Sequence, residues 1–252
     1  MVTPDGGWLG IDHDLVQAPS ATFLHLLRAR SPEAMHLAPG LVVGNPTLDL
    51  PSAEQEAREV AALLVEGETT TLIGSSATKS AFLAQSAKAR TVLVASHGVF
   101  WPGTPGESYI RFAGDPGAEG RLTVREIGSL KLQADLVFLS GCSTGLATTA
   151  QSGPQQSNNL LEPGGAGDDV LGLGVAFEVA GARRVIATLW DVADASSERF
   201  VKTAFEQVVA GAEPSEALQT ARRALVETPS DLGAGLQTDH PAFWSPYFIV
   251  GP

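Results

Sequence analysis

The sequence predicts an α/β fold, a three-layer α/β/α sandwich around a mostly parallel sheet of about six strands, and three observations carry that expectation. Short β-branched or aliphatic runs alternate along the chain with segments of helical period, the pattern of a parallel sheet covered on both faces. The segment 196–210 places Phe200, Ala204 and Val208 on one row and Val201, Phe205 and Val209 on the next, an apolar stripe made to face a core. The chain has 252 residues, 44% apolar and 17% charged, enough to bury a full core in one domain spanning 1–252.

Taken in order, residues 1–38 form a mixed extension that packs on the core or links to something upstream, with a short helix expected at 21–30. Strands are predicted at 41–43, 70–73, 91–95, 136–140, 184–188 and 247–250. Helices are predicted at 52–65, 78–87, 123–129, 169–180, 196–210 and 214–227. Pro214 suits a first helical turn. Trp101 opens a turn-rich excursion after the third strand. Residues 147–168, rich in Gly, Ser, Gln and Asn, read as a flexible loop that begins five residues after the single cysteine. A connection of that length in a compact domain is usually functional or disordered. Asp135 reads as the solvated start of its strand.

The formal charge of -12 disfavours nucleic acid and anionic membrane surfaces as partners, and the pairs Arg183-Arg184 and Arg222-Arg223 are too isolated to reverse that. One cysteine excludes an internal disulfide framework and a cysteine-based zinc cluster, and fits a reducing, cytoplasmic setting. The first residues lack the pattern of a secretory signal, and the most apolar window, Val170 to Phe177, is far shorter than a membrane span. His13, His25, His36 and His240 show no metal-ligand spacing, and no phosphate loop, dinucleotide fingerprint or serine-hydrolase elbow is present. No metal or organic cofactor is expected.

Chemistry in an open parallel sheet collects at the carboxyl ends of the strands. His97 and Gly98 stand where the third strand runs out, and Cys142 where the fourth does. Neighbouring strands lie about 5 Å apart, so the imidazole and the thiol can reach one substrate bond. A histidine 45 residues ahead of the cysteine matches the order and rough spacing in caspase-like enzymes. Against this stands the ordinary behaviour of a lone cysteine, an inert buried hydrophobe, and of a histidine that only caps or packs.

Motifs along almost the whole chain add a specific likeness. Gly44-Asn-Pro46, Leu50-Pro-Ser-Ala-Glu-Gln-Glu-Ala57, Ala95-Ser-His-Gly98, Gly120-Arg-Leu-Thr-Val-Arg-Glu-Ile127 and Asp135-Leu-Val-Phe-Leu-Ser-Gly-Cys-Ser-Thr-Gly145 are followed by Gly172-Leu-Gly-Val-Ala-Phe-Glu-Val-Ala-Gly-Ala182. Val185-Ile-Ala-Thr-Leu-Trp-Asp-Val-Ala-Asp194, Pro214-Ser-Glu-Ala-Leu218 and His240-Pro-Ala-Phe-Trp-Ser-Pro-Tyr-Phe248 complete the series. In this order they resemble a CHAT domain, a caspase-like cysteine peptidase family grouped with caspases, separase and gingipains. Gly141 and Ser143 stand where that family commonly has alanine and glutamate, changes that keep the thiol.

The resemblance implies Cys142 as nucleophile, His97 as acid and base, and the backbone N–H groups of Gly98 and Cys142 as oxyanion donors. It assigns no third catalytic residue. It also implies that Ser140, Trp190 and Asp191 help wall the primary substrate pocket. An inward Asp191 or Asp194 would favour a basic residue before the scissile bond, and a pocket walled by Trp190 would favour leucine or methionine. Asp194 reads first as a helix N-cap, and Asp191 as readily one as the other. The expected activity is hydrolysis of a peptide bond in a protein substrate, gated by a regulatory partner or upstream sensor module, in bacterial defence or cell death. The rival expectations are an inactive CHAT-fold scaffold that binds proteins, and a thiol acyltransferase or amidase acting on small substrates.

Overall fold

A computed structural model of the chain describes residues 7–18, 20–28, 35–99, 101, 104–114, 120–140, 166–190, 192, 194–233 and 235–251. In chain order come α1 (Leu9–Asp12), α2 (Ala21–Arg28), β1 (Gly40–Gly44), α3 (Pro51–Leu63), β2 (Thr69–Ile73), α4 (Lys79–Ser86) and β3 (Thr91–Ala95). Then follow β4 (Gly98–Val99), β5 (Tyr109–Arg111), β6 (Arg121–Thr123), α5 (Val124–Gly128), β7 (Leu136–Ser140), α6 (Ala166–Val179) and β8 (Val185–Thr188). The chain continues through α7 (Asp194–Val209), α8 (Pro214–Glu227), β9 (Asp231–Gly233), β10 (Leu236–Gln237), α9 (Pro241–Trp244) and β11 (Tyr247–Val250).

Six strands form the main sheet in the order β11-β8-β7-β3-β1-β2, all parallel except the pairing of β11 with β8. Strands β1, β3 and β7 are buried along their whole length, as strands covered on both faces must be. Alternate side chains divide the core in two. Val42, Leu93, Phe138 and Ile186 turn to one face and meet α3, α7 and α8. Val43, Val94, Leu139 and Ala187 turn to the other, where Phe82 of α4, Ile127 of α5 and Phe177 of α6 cover them. The predicted three-layer sandwich is therefore the observed fold.

Local chemistry fixes the helix starts. Pro51 and Pro214 occupy first turns, where a missing N–H costs nothing. Thr78 caps α4 by accepting from Ala81 N at 3.1 Å, and Thr123 with Glu126 forms a capping box on α5.

Three expectations are corrected. Helix α6 begins at Ala166, so the last residues of the expected 147–168 loop are helical; 147–165 lie outside the described residues. Val209, expected on the core stripe, is exposed at the end of α7. Asp135 is not solvated: its side chain is 2% exposed, bonded to Arg183 Nη1 at 2.8 Å and to the backbone N of His36 at 3.0 Å, with Arg90 at 3.8 Å. The carboxylate ties the amino ends of the strands together, which its place at a strand start did not reveal. The small antiparallel sheet β4-β5-β6 and the pair β10-β9 were not predicted, because strands of two or three residues carry no readable period.

Candidate active site

The tips of β1, β3 and β7 end level: Gly44 pairs with Ala95, and Ala95 with Ser140. Ser96 N donates to Ser140 O at 3.1 Å, carrying the contact one step beyond the strands. His97 follows on β3, and its side chain is 31% exposed. Its Nε2 lies 3.1 and 3.2 Å from the two carboxylate oxygens of Asp49. An Nε2–H donated to Asp49 leaves Nδ1 unprotonated in the neutral ring and fixes the ring plane.

The motif around Asn45 is what delivers Asp49. At Gly44 an added Cβ would stand 2.5 Å from the Ala57 Cβ, so only glycine lets α3 pack on this strand tip. Asn45 adopts the left-handed conformation at φ 50°, which asparagine tolerates. Its Oδ1 accepts from Leu50 N at 2.8 Å and its Nδ2 donates to Glu54 at 3.3 Å, closing a turn that aims Asp49 at the imidazole. The Thr47 hydroxyl donates to Asp49; with His97 it holds the carboxyl below its ordinary range, against a partial desolvation that pushes the other way.

Gly98 is set by the small sheet. Arg111 N donates to His97 O at 2.8 Å, and the Ser96 hydroxyl donates to Arg111 O. Opposed residues in an antiparallel ladder alternate between bonded and unbonded pairs. The His97–Arg111 pair is bonded, so Gly98, opposite Ile110, directs its N–H away from β5. β4 is the edge of that sheet, and the Gly98 N–H points off this edge.

Below the tip of β7 lies a buried polar network. Ser140, 1% exposed, donates from Oγ to Glu56 Oε2 at 3.0 Å, and Ser197 Oγ donates to the same oxygen at 3.2 Å. Tyr247 Oη donates to Ser197 Oγ at 3.1 Å; burial pushes this phenol well above its ordinary range, so it stays a neutral donor. Trp190 donates from Nε1 to Ala242 O at 3.0 Å, which fastens the connection after β8 to α9. Cys142 and Asp191 lie outside the described residues, and Asp194 is the first residue of α7, its side chain likewise outside them. Of the site residues expected from sequence, the structure thus sets His97, Gly98 and Ser140 at adjoining strand ends.

Two functional candidates escaped the sequence reading. Asp49 sits in the connection after β1, and the rule that sent attention to the ends of the third and fourth strands would have found it at the end of the first. Glu56 shares the inward row of α3 with Ala57 and Val60. An acid on an apolar row was the available signal.

Among the described residues no three metal-ligating side chains gather, and no helix is long and apolar enough to cross a membrane. A parallel sheet between two helical layers, an imidazole at the tip of β3, and the next strand running on to a cysteine together define the caspase-like cysteine peptidase fold. Solved structures agree. The Saccharomyces cerevisiae separase–securin complex at 2.6 Å matches with a TM-score of 0.63 and 17% identity over 96% of this chain and 14% of that one. RgpB of Porphyromonas gingivalis, in the complex of its pro- and mature domains, matches with a TM-score of 0.51 and 12% identity over 85% of this chain and 47% of that one. At such identities the likeness establishes the fold.

The chain belongs to the CHAT domain family, whose profile matches residues 1–252. Curated relatives are Tetratricopeptide repeat protein 28 of Homo sapiens, 26% identical over 83% of this chain, and of Mus musculus, 28% identical over 83%. The chain spans 9% of the length of each. Both relatives are mammalian, so they lend nothing to the expected bacterial setting.

Proposed function

We propose that the chain is a cysteine endopeptidase in which Cys142 is the nucleophile, His97 the acid and base, and Asp49 the group that orients His97. The observation that carries this reading is the register of β3 against β7: Ala95 and Ser140 lie side by side, and His97 and Cys142 each follow two residues further along the chain. In the proposed cycle the Cys142 thiol gives its proton to His97, and the thiolate attacks the scissile carbonyl carbon. The oxyanion is held by the outward N–H of Gly98 and by that of Cys142. The imidazolium then protonates the departing amine, the C–N bond breaks, and an acyl-thioester remains on Cys142. Water, deprotonated by His97, attacks the thioester, releases the acid and restores the thiol.

Asp49 supports the imidazolium formed in the first step, and no metal is required for any step. Regulation is proposed to come from a protein partner or an adjoining module, since the curated relatives are repeat proteins much longer than this chain. The N-terminal residues offer a place for such input. Trp8 stacks edge-on against Trp244 at 5.6 Å, and Arg222 donates to Gly10 O at 3.3 Å and to Tyr247 O at 2.6 Å. Burial lowers the Arg222 guanidinium to about 10, so it remains charged at neutral pH. A role in bacterial defence or cell death rests on the family resemblance alone.

A chain with one cysteine permits a clean test. The rate at which the single thiol is lost to iodoacetamide at pH 6 reports on Cys142. Pairing with His97 predicts that wild type reacts about tenfold or more faster than His97→Ala, because the ion pair supplies thiolate where a free thiol has almost none. Equal rates would favour the noncatalytic, protein-binding reading instead.

A further inference from the structure

Arginine is rarely buried without a counter-charge, and Arg222 of α8 is 4% exposed. Two of its five N–H groups go to main-chain carbonyls, Gly10 O at 3.3 Å and Tyr247 O at 2.6 Å. Among the described residues no carboxylate stands within ion-pair distance; Asp14, the acid whose charge it feels, lies farther off. Arg222 lines a cavity of about 180 Å³ whose other walls include Trp8, Leu15, Leu189, Trp244 and Phe248. Gly10 belongs to the same wall, and a Cβ built on it would stand 3.8 Å from Arg222 Nε, so this edge of the guanidinium lies at the cavity.

Size and chemistry narrow the occupant. A dry cavity of about 150 Å³ admits benzene, so this one has room for a ring and a short arm. Trp244 donates its Nε1–H to Asp239 O at 2.9 Å, which leaves its ring carbons to face a ligand. A guanidinium edge is a planar fork that matches a carboxylate with two N–H groups. With a formal charge of -12 the chain draws no anion by its overall field, so selection of one is local to Arg222. One cation answers one negative charge, and a dianion would carry a second into apolar walls at a cost.

We propose that this cavity is a binding site for a small organic monocarboxylate with an apolar body about one ring in size. The carboxylate sits on the Nε edge of Arg222, and the body lies against Trp8, Leu189 and Trp244. The inference is independent of the peptidase reading and stands even with an inert Cys142. One wall comes from residues 8–17 and the other from α8, α9 and β11, so the ligand touches both. The first wall is already tied down: Gln219 and Arg223 donate to Ile11 O at 3.0 and 3.1 Å, and Gln17 N donates to Ile249 O of the edge strand at 2.8 Å. Occupancy adds a further tie between the N-terminal residues and the sheet edge.

The test is calorimetric titration of the whole chain with phenylpropionate and with phenylpropionamide, its neutral isostere. Phenylpropionate is expected to bind with a Kd on the order of 1 mM, and the amide about tenfold or more weakly. Gly10→Val keeps Arg222 but fills space beside Nε, and should weaken phenylpropionate about tenfold. Arg222→Met should bring the two ligands to equal affinity. Equal affinities in wild type, no heat from either ligand at about 10 mM, or phenylpropionate binding that Gly10→Val leaves unchanged overturns the proposal. The wild-type comparison needs no variant to fold.

Two further titrants separate other occupants. N-acetylphenylalanine is phenylpropionate with the start of a preceding residue added, and the cavity should bind it more weakly. Tighter binding of it overturns the small-molecule occupant in favour of a polypeptide chain end. Sulfate that binds as tightly as phenylpropionate overturns the proposal as well, because the apolar walls would then contribute nothing.

Discussion

Two aspartates at opposite ends of the sheet form similar pairs in different surroundings. At the amino end of β7, Asp135 has a side chain 2% exposed and bonds Arg183 at 2.8 Å; beyond the carboxyl ends, Asp49 is 61% exposed and faces His97 at 3.1 Å. The buried pair joins a guanidinium to a carboxylate that is closed off from solvent. It can only hold structure. The exposed pair joins a carboxylate to the one side chain that ordinarily titrates between pH 5 and 8, and water reaches both. The same interaction is an anchor where solvent is excluded and, in the proposed cycle, a proton-handling device where it is admitted.

Breaking the anchor should have the larger effect on stability. Asp135→Ala removes the buried acceptor of Arg183 Nη1 and of the His36 N–H and is expected to cost about 3 kcal/mol, roughly 8 °C in Tm for a domain of this size, measured by thermal and denaturant unfolding. Activity per folded molecule should change little. A loss under about 0.5 kcal/mol would mean that the pair is no anchor.

The other pair should respond in the opposite sense. Asp49→Asn is expected to lower kcat/KM about tenfold, because the ring loses its orienting anion, while stability moves by less than about 0.5 kcal/mol at this exposed site. Asp49 is held below its ordinary range in the folded chain, first by Thr47 and then by His97. The sign follows: any stability it adds is present above the ordinary carboxylate range and lost only as pH falls below that range. Acidification from pH 7 to pH 5 should therefore leave the Asp49 contribution intact. An Asp49→Asn protein with unchanged kcat/KM and an unchanged pH profile would reduce the contact to a surface ion pair.

The contrast also shows what a sequence discloses. Strand and helix periods are local, so the alternation predicted β3, β7, β11 and α8 with their observed bounds. The burial of Asp135 depends on Arg183, 48 residues away, and no local pattern announces it. Asp49 and His97 are likewise 48 residues apart and meet because β1 and β3 are neighbours in the sheet, a fact of strand order. His97 and Gly98 were legible because a histidine and a glycine at a strand end are conspicuous in a short window. Ser140 was legible as a position but not as a contact: its partner Glu56 comes from a helix 84 residues earlier.

Whether Cys142 and His97 cut protein chains is read most directly by mass spectrometry of new N-termini in a cell lysate treated with wild type, Cys142→Ala or His97→Ala. A set of termini should appear with wild type, be absent with Cys142→Ala, and be absent again with His97→Ala. Identical termini in all three samples would contradict it.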